Sequence, residues 1–140
     1  MKETCVLVDG HSLMYRAFHA LPPMDADGAP TNAVHGFLSM LLKVFEDYQP
    51  QYCAVAFDEH GPVFRHESYP EYKQGRAPMP EDLIPQFDTV KEILSAMGIG
   101  VYSLPGFEAD DLIGTFSLQC KQKGIKTLIL TGDKDDLQLI

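Results

Sequence analysis

Three short apolar runs, Cys5-Val-Leu-Val8, Tyr52-Cys-Ala-Val-Ala-Phe57 and Ile125-Lys-Thr-Leu-Ile-Leu130, each give way to an aspartate: Asp9 and Asp58 directly, Asp133 after Thr131-Gly132. Runs this short and almost unbroken in hydrophobicity suit strands buried on both faces of a parallel sheet. Parallel neighbours cannot be joined by a tight turn, so the chain between them must cross over, usually as a helix. The fold expected is therefore α/β: a three-layer α/β/α arrangement with a mainly parallel central sheet, formed by residues 1–140 as one domain.

The intervening sequence carries the helical period that this requires. Ser12 can cap a short helix through about Phe18, stopped by Leu21-Pro22-Pro23, and the stretch 24–31 reads as a loop. Asn32 is placed to cap a helix over residues 32–48, with Val34, Phe37, Leu38, Leu41, Leu42 and Phe45 on one stripe. Glu81 or Asp82 opens a helix to about Met97 with Ile84, Phe87, Val90, Ile93, Leu94 and Met97 inward. A weak strand over 100–104 and a helix over 109–123, with Leu112, Ile113, Phe116 and Cys120 on one face, precede the third apolar run. Residues 135–140 suggest the start of a further helix.

Composition narrows the class of protein. A hydrophobic content of 45% in 140 residues suffices for one packed core. Cys5, Cys53 and Cys120 lie in apolar runs without Cys-x-x-Cys spacing, which predicts buried thiols in a reducing cytosol rather than zinc ligands or a redox pair. No signal-like run opens the chain and no segment reaches the roughly 20 apolar residues of a membrane span, so a cytoplasmic location is expected. Net charge is −9, which by itself argues against a nucleic-acid partner. The distribution qualifies that argument, because six of the 20 acids fall between Gly106 and Ile140.

Those six, Glu108, Asp110, Asp111, Asp133, Asp135 and Asp136, stand at the two ends of one predicted helix and strand. Acids also favour helix N-termini and turns, so each alone has a structural explanation. Together with Asp9 and Asp58 they reach one edge of one sheet, and ligands of such sheets bind outside the carboxyl ends of the strands. Hard cations such as Mg²⁺ or Mn²⁺ take oxygen ligands, and a pair of them can stabilise the attacking and leaving oxygens of a phosphoryl displacement. Bound divalent ions would invert the local field. Competing chemistries lack their motifs: there is no Gly-x-x-x-x-Gly-Lys-Ser/Thr loop and no Gly-x-Ser-x-Gly. His11, His35 and His60 read as loop or surface residues.

Residues 59–80 show no helical period and hold prolines at 62, 70, 78 and 80. Arg65, Lys73 and Arg76 are interleaved there with Phe64, Tyr69 and Tyr72. Cations of this kind neutralise phosphates and aromatic rings stack on unpaired bases, so the segment is a candidate phosphate clamp beside the acidic edge.

Leu7-Val-Asp9-Gly-His-Ser-Leu-Met-Tyr15-Arg16-Ala-Phe18, Phe57-Asp58, Phe64-Arg65 with Tyr72-Lys73-Gln-Gly-Arg76, Gly106-Phe-Glu108-Ala-Asp110-Asp111 and Thr131-Gly-Asp133-Lys-Asp135 closely resemble, in this order, the N-terminal 5′→3′ exonuclease domain of bacterial DNA polymerase I. That domain belongs to the flap endonuclease, or structure-specific 5′-nuclease, superfamily. The resemblance implies Mg²⁺- or Mn²⁺-dependent hydrolysis of DNA near a 5′ end or flap, including removal of RNA primers. It implies Asp9, Asp58, Glu108, Asp110, Asp111, Asp133 and Asp135 as metal ligands and Lys73 and Arg76 as the cations at the scissile phosphate. Arg65 and Tyr72 would help position the DNA, and Asp136 receives no role. The family's domain is about twice this length, so the chain is expected to be its first half, lacking two further aspartates and a helical DNA-gripping motif, and weakly active or inactive alone. A polymerase is expected to follow in the parent protein. Other readings of the acidic edge are a compact metal-dependent ribonuclease of the PIN type, a phosphoacceptor domain and a catalytically silent DNA-binding remnant.

Overall fold

In chain order the computed structural model contains β1 (Thr4–Asp9), α1 (Gly10–Ala20), β2 (Asp25–Ala26), β3 (Ala29–Pro30), α2 (Asn32–Tyr48), β4 (Tyr52–Ala56), α3 (Ile84–Ala96), β5 (Gly100–Tyr102), α4 (Ala109–Gln122), β6 (Lys126–Leu130) and β7 (Leu137–Leu139). It describes residues 3–58 and 79–132, and the backbone of 137–139. Arg65, Tyr72, Lys73, Arg76, Asp133 and Asp135 lie outside the described residues.

The first apolar run becomes the central strand because both of its faces are needed. Val6 and Val8 point into a cluster with Leu13, Met14 and Ala17 of α1, Phe37 and Leu41 of α2, and Phe87, Val90 and Leu94 of α3. Cys5 and Leu7 point the other way, against Ala109, Leu112 and Ile113 of α4. Each fully buried aliphatic side chain contributes about 1.5–3 kcal/mol. A strand with two apolar faces recovers that energy only between two helical layers. The sheet order is β5-β4-β1-β6-β7. The pairings β5–β4, β4–β1 and β1–β6 are parallel, and β7 runs antiparallel to β6. The α/β sandwich with a mainly parallel sheet thus stands as expected.

Several local expectations change. Asp9, not Ser12, caps α1, which runs on to Ala20. The stretch read as a loop contains the β2–β3 hairpin. Asn32 is buried inside the first turn of α2, and Thr31 occupies the cap position. Leu42, Ile84 and Met97 are exposed rather than inward. Residues 137–139 form a strand where helical continuation was expected, because pairing with β6 satisfies a ladder edge that a helix would leave open. Cys5 is buried as expected, whereas Cys53 and Cys120 are half-buried, and all three thiols are free. Among the described residues no helix is long and apolar enough to cross a membrane.

Candidate active site

Asp9 ends β1, and its burial at 7% exposure is accommodated by the start of α1, where its Oδ1 accepts a hydrogen bond from Ser12 N at 3.2 Å. An acid at a helix N-terminus meets the positive end of the helix dipole, which offsets part of its desolvation. Asp9 stands opposite Ala56 in the parallel register. Asp58 therefore follows at the same edge, two residues beyond the end of β4.

Asp58 joins the sheet to the opposite helical layer. Its Oδ1 accepts from Ala109 N, the first residue of α4, at 2.6 Å, and its Oδ2 lies 3.8 Å from His11 Nδ1. A charge-assisted bond to a backbone N–H at a helix start is among the stronger neutral-to-ion contacts. It pins the beginning of α4 to the sheet edge. Glu108, at the cap position, donates its backbone N–H to Asp111 Oδ2 at 2.9 Å, and Asp110 and Asp111 fill the first turn. Glu108, Asp110 and Asp111 are exposed. Their local role as helix-terminal acids and their place at the sheet edge therefore coexist.

His11, expected on the surface or in a loop, is instead a helical residue with a side chain only 15% exposed. Its ring lies 4.8 Å from that of Phe87 and 5.8 Å from that of Tyr15. His35 is helical but exposed, and His60 lies outside the described residues. Beneath the edge, Phe57 is fully buried, meets Phe87 edge-on at 6.0 Å and carries Lys91 Nζ 5.0 Å above its ring. On the β6 side, Gly132 N donates to Ser12 Oγ at 3.0 Å, and Ser12 Oγ and Thr131 Oγ1 share a bond of the same length.

Sequence reasoning gave His11 no part and Ser12 only a cap. A lone histidine carries no spacing signal, and the partner of the Ser12 hydroxyl lies 119 residues away. The position of Ser12 three residues after a strand-ending aspartate was the one available clue.

The donor chemistry of the edge fits a hard divalent cation, since Asp9 and Asp58 offer carboxylate oxygens where two parallel strands end. Among the described residues no three ligand-type side chains are grouped closely enough to hold an ion by themselves. The structure brings Asp9 and Asp58 to one edge with the acidic start of α4.

Comparison with known proteins agrees with this architecture. The family model described as "5'-3' exonuclease, N-terminal resolvase-like domain" matches residues 4–140. DNA polymerase I of Chloroflexus aurantiacus is 50% identical over 138 residues, covering 96% of this chain and 14% of that protein. DNA polymerase I of Mycobacterium tuberculosis is 47% identical over 142 residues, covering 99% of this chain and 16% of that protein. The chain thus spans about one-sixth of the curated relatives it matches. Among solved structures, the T5 D15 protein co-crystallized with metal ions superposes with a TM-score of 0.63 at 22% identity, covering 94% of this chain and 50% of that one. The catalytic core of Rad2 in complex with DNA substrate gives 0.56 at 21% identity, covering 97% and 46%. With strands, carboxylate edge and relatives in agreement, the chain belongs to the 5′-3′ exonuclease family, as its N-terminal resolvase-like domain.

Proposed function

We propose that this chain is the N-terminal, carboxylate-bearing half of a nuclease domain that hydrolyses DNA phosphodiesters near a 5′ end or at a 5′ flap, using divalent metal. The observation that carries the reading is the arrival of Asp9, Asp58 and the acidic start of α4 at one sheet edge, in a chain of this family. The metal-bound T5 protein and the DNA-bound Rad2 core support the choice of cofactor and substrate.

Asp9, Asp58, Glu108, Asp110, Asp111, Asp133 and Asp135 would hold the ions, with Mg²⁺ or Mn²⁺ matching their hard oxygens. Bound metal supplies a more acidic water and charge neutralisation at the phosphate. The chain's own residues do the rest. The Ser12 amide keeps Asp9 turned toward the edge, and the Ala109 amide fixes one oxygen of Asp58, leaving its other near His11. Lys73 and Arg76 would neutralise the scissile phosphate, with Arg65 and Tyr72 positioning the strand. The remaining half of the domain and a polymerase would follow in the parent protein, where the activity serves primer and flap removal. The 140-residue chain alone would be weakly active or inactive.

Cleavage of a 5′-flap DNA by the natural protein, with Mg²⁺ or Mn²⁺ and with chelator, tests this. Asp58→Asn and Asp9→Asn keep acceptors for Ala109 N and Ser12 N while removing the charges, so each should lower metal-dependent cleavage by about 100-fold or more without unfolding the chain. Undiminished cleavage by either variant would overturn the reading. Cleavage of single-stranded RNA with no flap preference would replace it with the ribonuclease.

A further inference from the structure

We propose that Ser12 is a positioning residue of this edge, setting the distance between the strand that carries Asp9 and the strand that leads to Asp133; the proposal rests on the metal-dependent reading above. The β1–β6 ladder runs from Thr4↔Lys126 to Val8↔Leu130 and goes no further. Beyond Leu130 the separation of the two chains is no longer fixed by sheet hydrogen bonds, although Asp9 stands at that end of β1. Ser12 takes over the connection. Its backbone N–H donates to Asp9 Oδ1 at 3.2 Å, and its Oγ accepts from Gly132 N at 3.0 Å, one residue before Asp133.

A serine hydroxyl has one proton and two lone pairs. Among the described residues three partners surround this one: Gly132 N, Thr131 Oγ1 at 3.0 Å and, more distantly, the Asp9 carbonyl at 3.4 Å. The assignment that uses every site has Gly132 N–H and Thr131 O–H donating to Ser12 Oγ, and the Ser12 proton turned to Asp9 O. A hydroxyl needed only to cap α1 would have no reason to face β6. Space makes the same point: a Cβ on Gly132 would sit 2.5 Å from Ser12 O and 2.8 Å from Arg16 Cβ. The absence of a side chain at Gly132 is what lets its backbone reach Ser12.

Groups that orient metal ligands without touching the metal typically change metal affinity by about 10–100-fold when removed. The test uses the natural protein carrying Ser12→Ala, Thr131→Val or Thr131→Ser. Mn²⁺ binding is read without DNA from the electron paramagnetic resonance of free Mn²⁺, with Asp9→Asn as baseline, beside the half-saturating Mn²⁺ for flap cleavage and the melting temperature in chelator. Ser12→Ala and Thr131→Val should each raise the Mn²⁺ dissociation constant and the half-saturating concentration together by about tenfold or more. Thr131→Ser, which keeps the hydroxyl, should restore both, and chelated melting temperatures should not follow the metal affinities. Wild-type Mn²⁺ affinity in both Ser12→Ala and Thr131→Val would overturn the proposal alone. A wild-type protein that binds no Mn²⁺ would overturn the metal-dependent reading and the proposal with it.

Discussion

Gly10 follows Asp9 directly, and the position where its Cβ would stand is 2.5–2.8 Å from three ring atoms of Phe57. Phe57 in turn precedes Asp58, so the two strand-ending acids are separated by a glycine packed on an aromatic ring. Any side chain at position 10 must push Phe57 and with it the turn that presents Asp58. Gly10→Ala should cost about 1–3 kcal/mol in urea denaturation, the usual range for overpacking, and Phe57→Leu in the same chain should return part of it. Unchanged stability of Gly10→Ala would show that the ring moves freely. At this scale the sequence was informative about Asp9 and Asp58, because an acid closing an apolar run marks a strand end by its neighbours alone. It was silent about Gly10 and His11, whose roles depend on Phe57, just after β4, and on Phe87 of α3.

Among the elements, the joint between α1, α2 and α3 is held by one buried amide pair. Gln86 is fully buried, and its Oε1 accepts from Ala33 N at 2.7 Å and Val34 N at 3.0 Å, closing the N-terminus of α2 that Thr31 leaves uncapped. Its Nε2 donates to Asn32 Oδ1 and Asp82 O, both at 2.9 Å, and Asn32 Nδ2 reaches Phe18 O and Leu21 O at the end of α1. Gln86→Leu leaves two buried N–H groups without acceptors and should destabilise the chain by roughly 3 kcal/mol, read from the urea midpoint. A loss below about 1 kcal/mol would mean that water replaces the amide. Helical periodicity located α2, α3 and α4 from sequence but assigned Leu42, Ile84 and Met97 to the wrong side; Ile84 opens α3 and Met97 is its C-cap, so two of the three stand where the helix ends. Gln86 was invisible to that reasoning, which counts apolar positions, and β7 was misread because its strand character comes from β6.

For the molecule as a whole, the two faces of the sheet each hold a thiol, Cys5 buried on one and Cys53 half-buried on the other. Burial pushes Cys53 up to about 12 from an ordinary 9.0, and burial with the neighbouring Cys120 does the same for Cys5. In the unfolded chain both ionise near the ordinary value, so between the two values unfolding releases protons that folding retains. Stability is accordingly lost as pH rises from about 9 upward, and these groups contribute no slope below it. The urea midpoint should fall between about pH 9 and 11, less steeply in Cys53→Ala; identical slopes would place Cys53 in contact with water. The α/β class could be read from the chain because buried strands and amphipathic helices declare themselves locally. The strand order could not, since nothing in the third apolar run says that it lies beside the first.

That order has a consequence for how the edge comes into being. The bond between Ser12 and Thr131 spans 119 residues, whereas β1 meets β4 across a much shorter stretch. During synthesis the first strand can therefore gain one neighbour early, while its other flank stays open until the last strands emerge. Closing so long a loop is among the slower events in folding. Asp9 can thus come alongside the end of β4 early, whereas the contact of Ser12 with Thr131 forms only after β6 has been made.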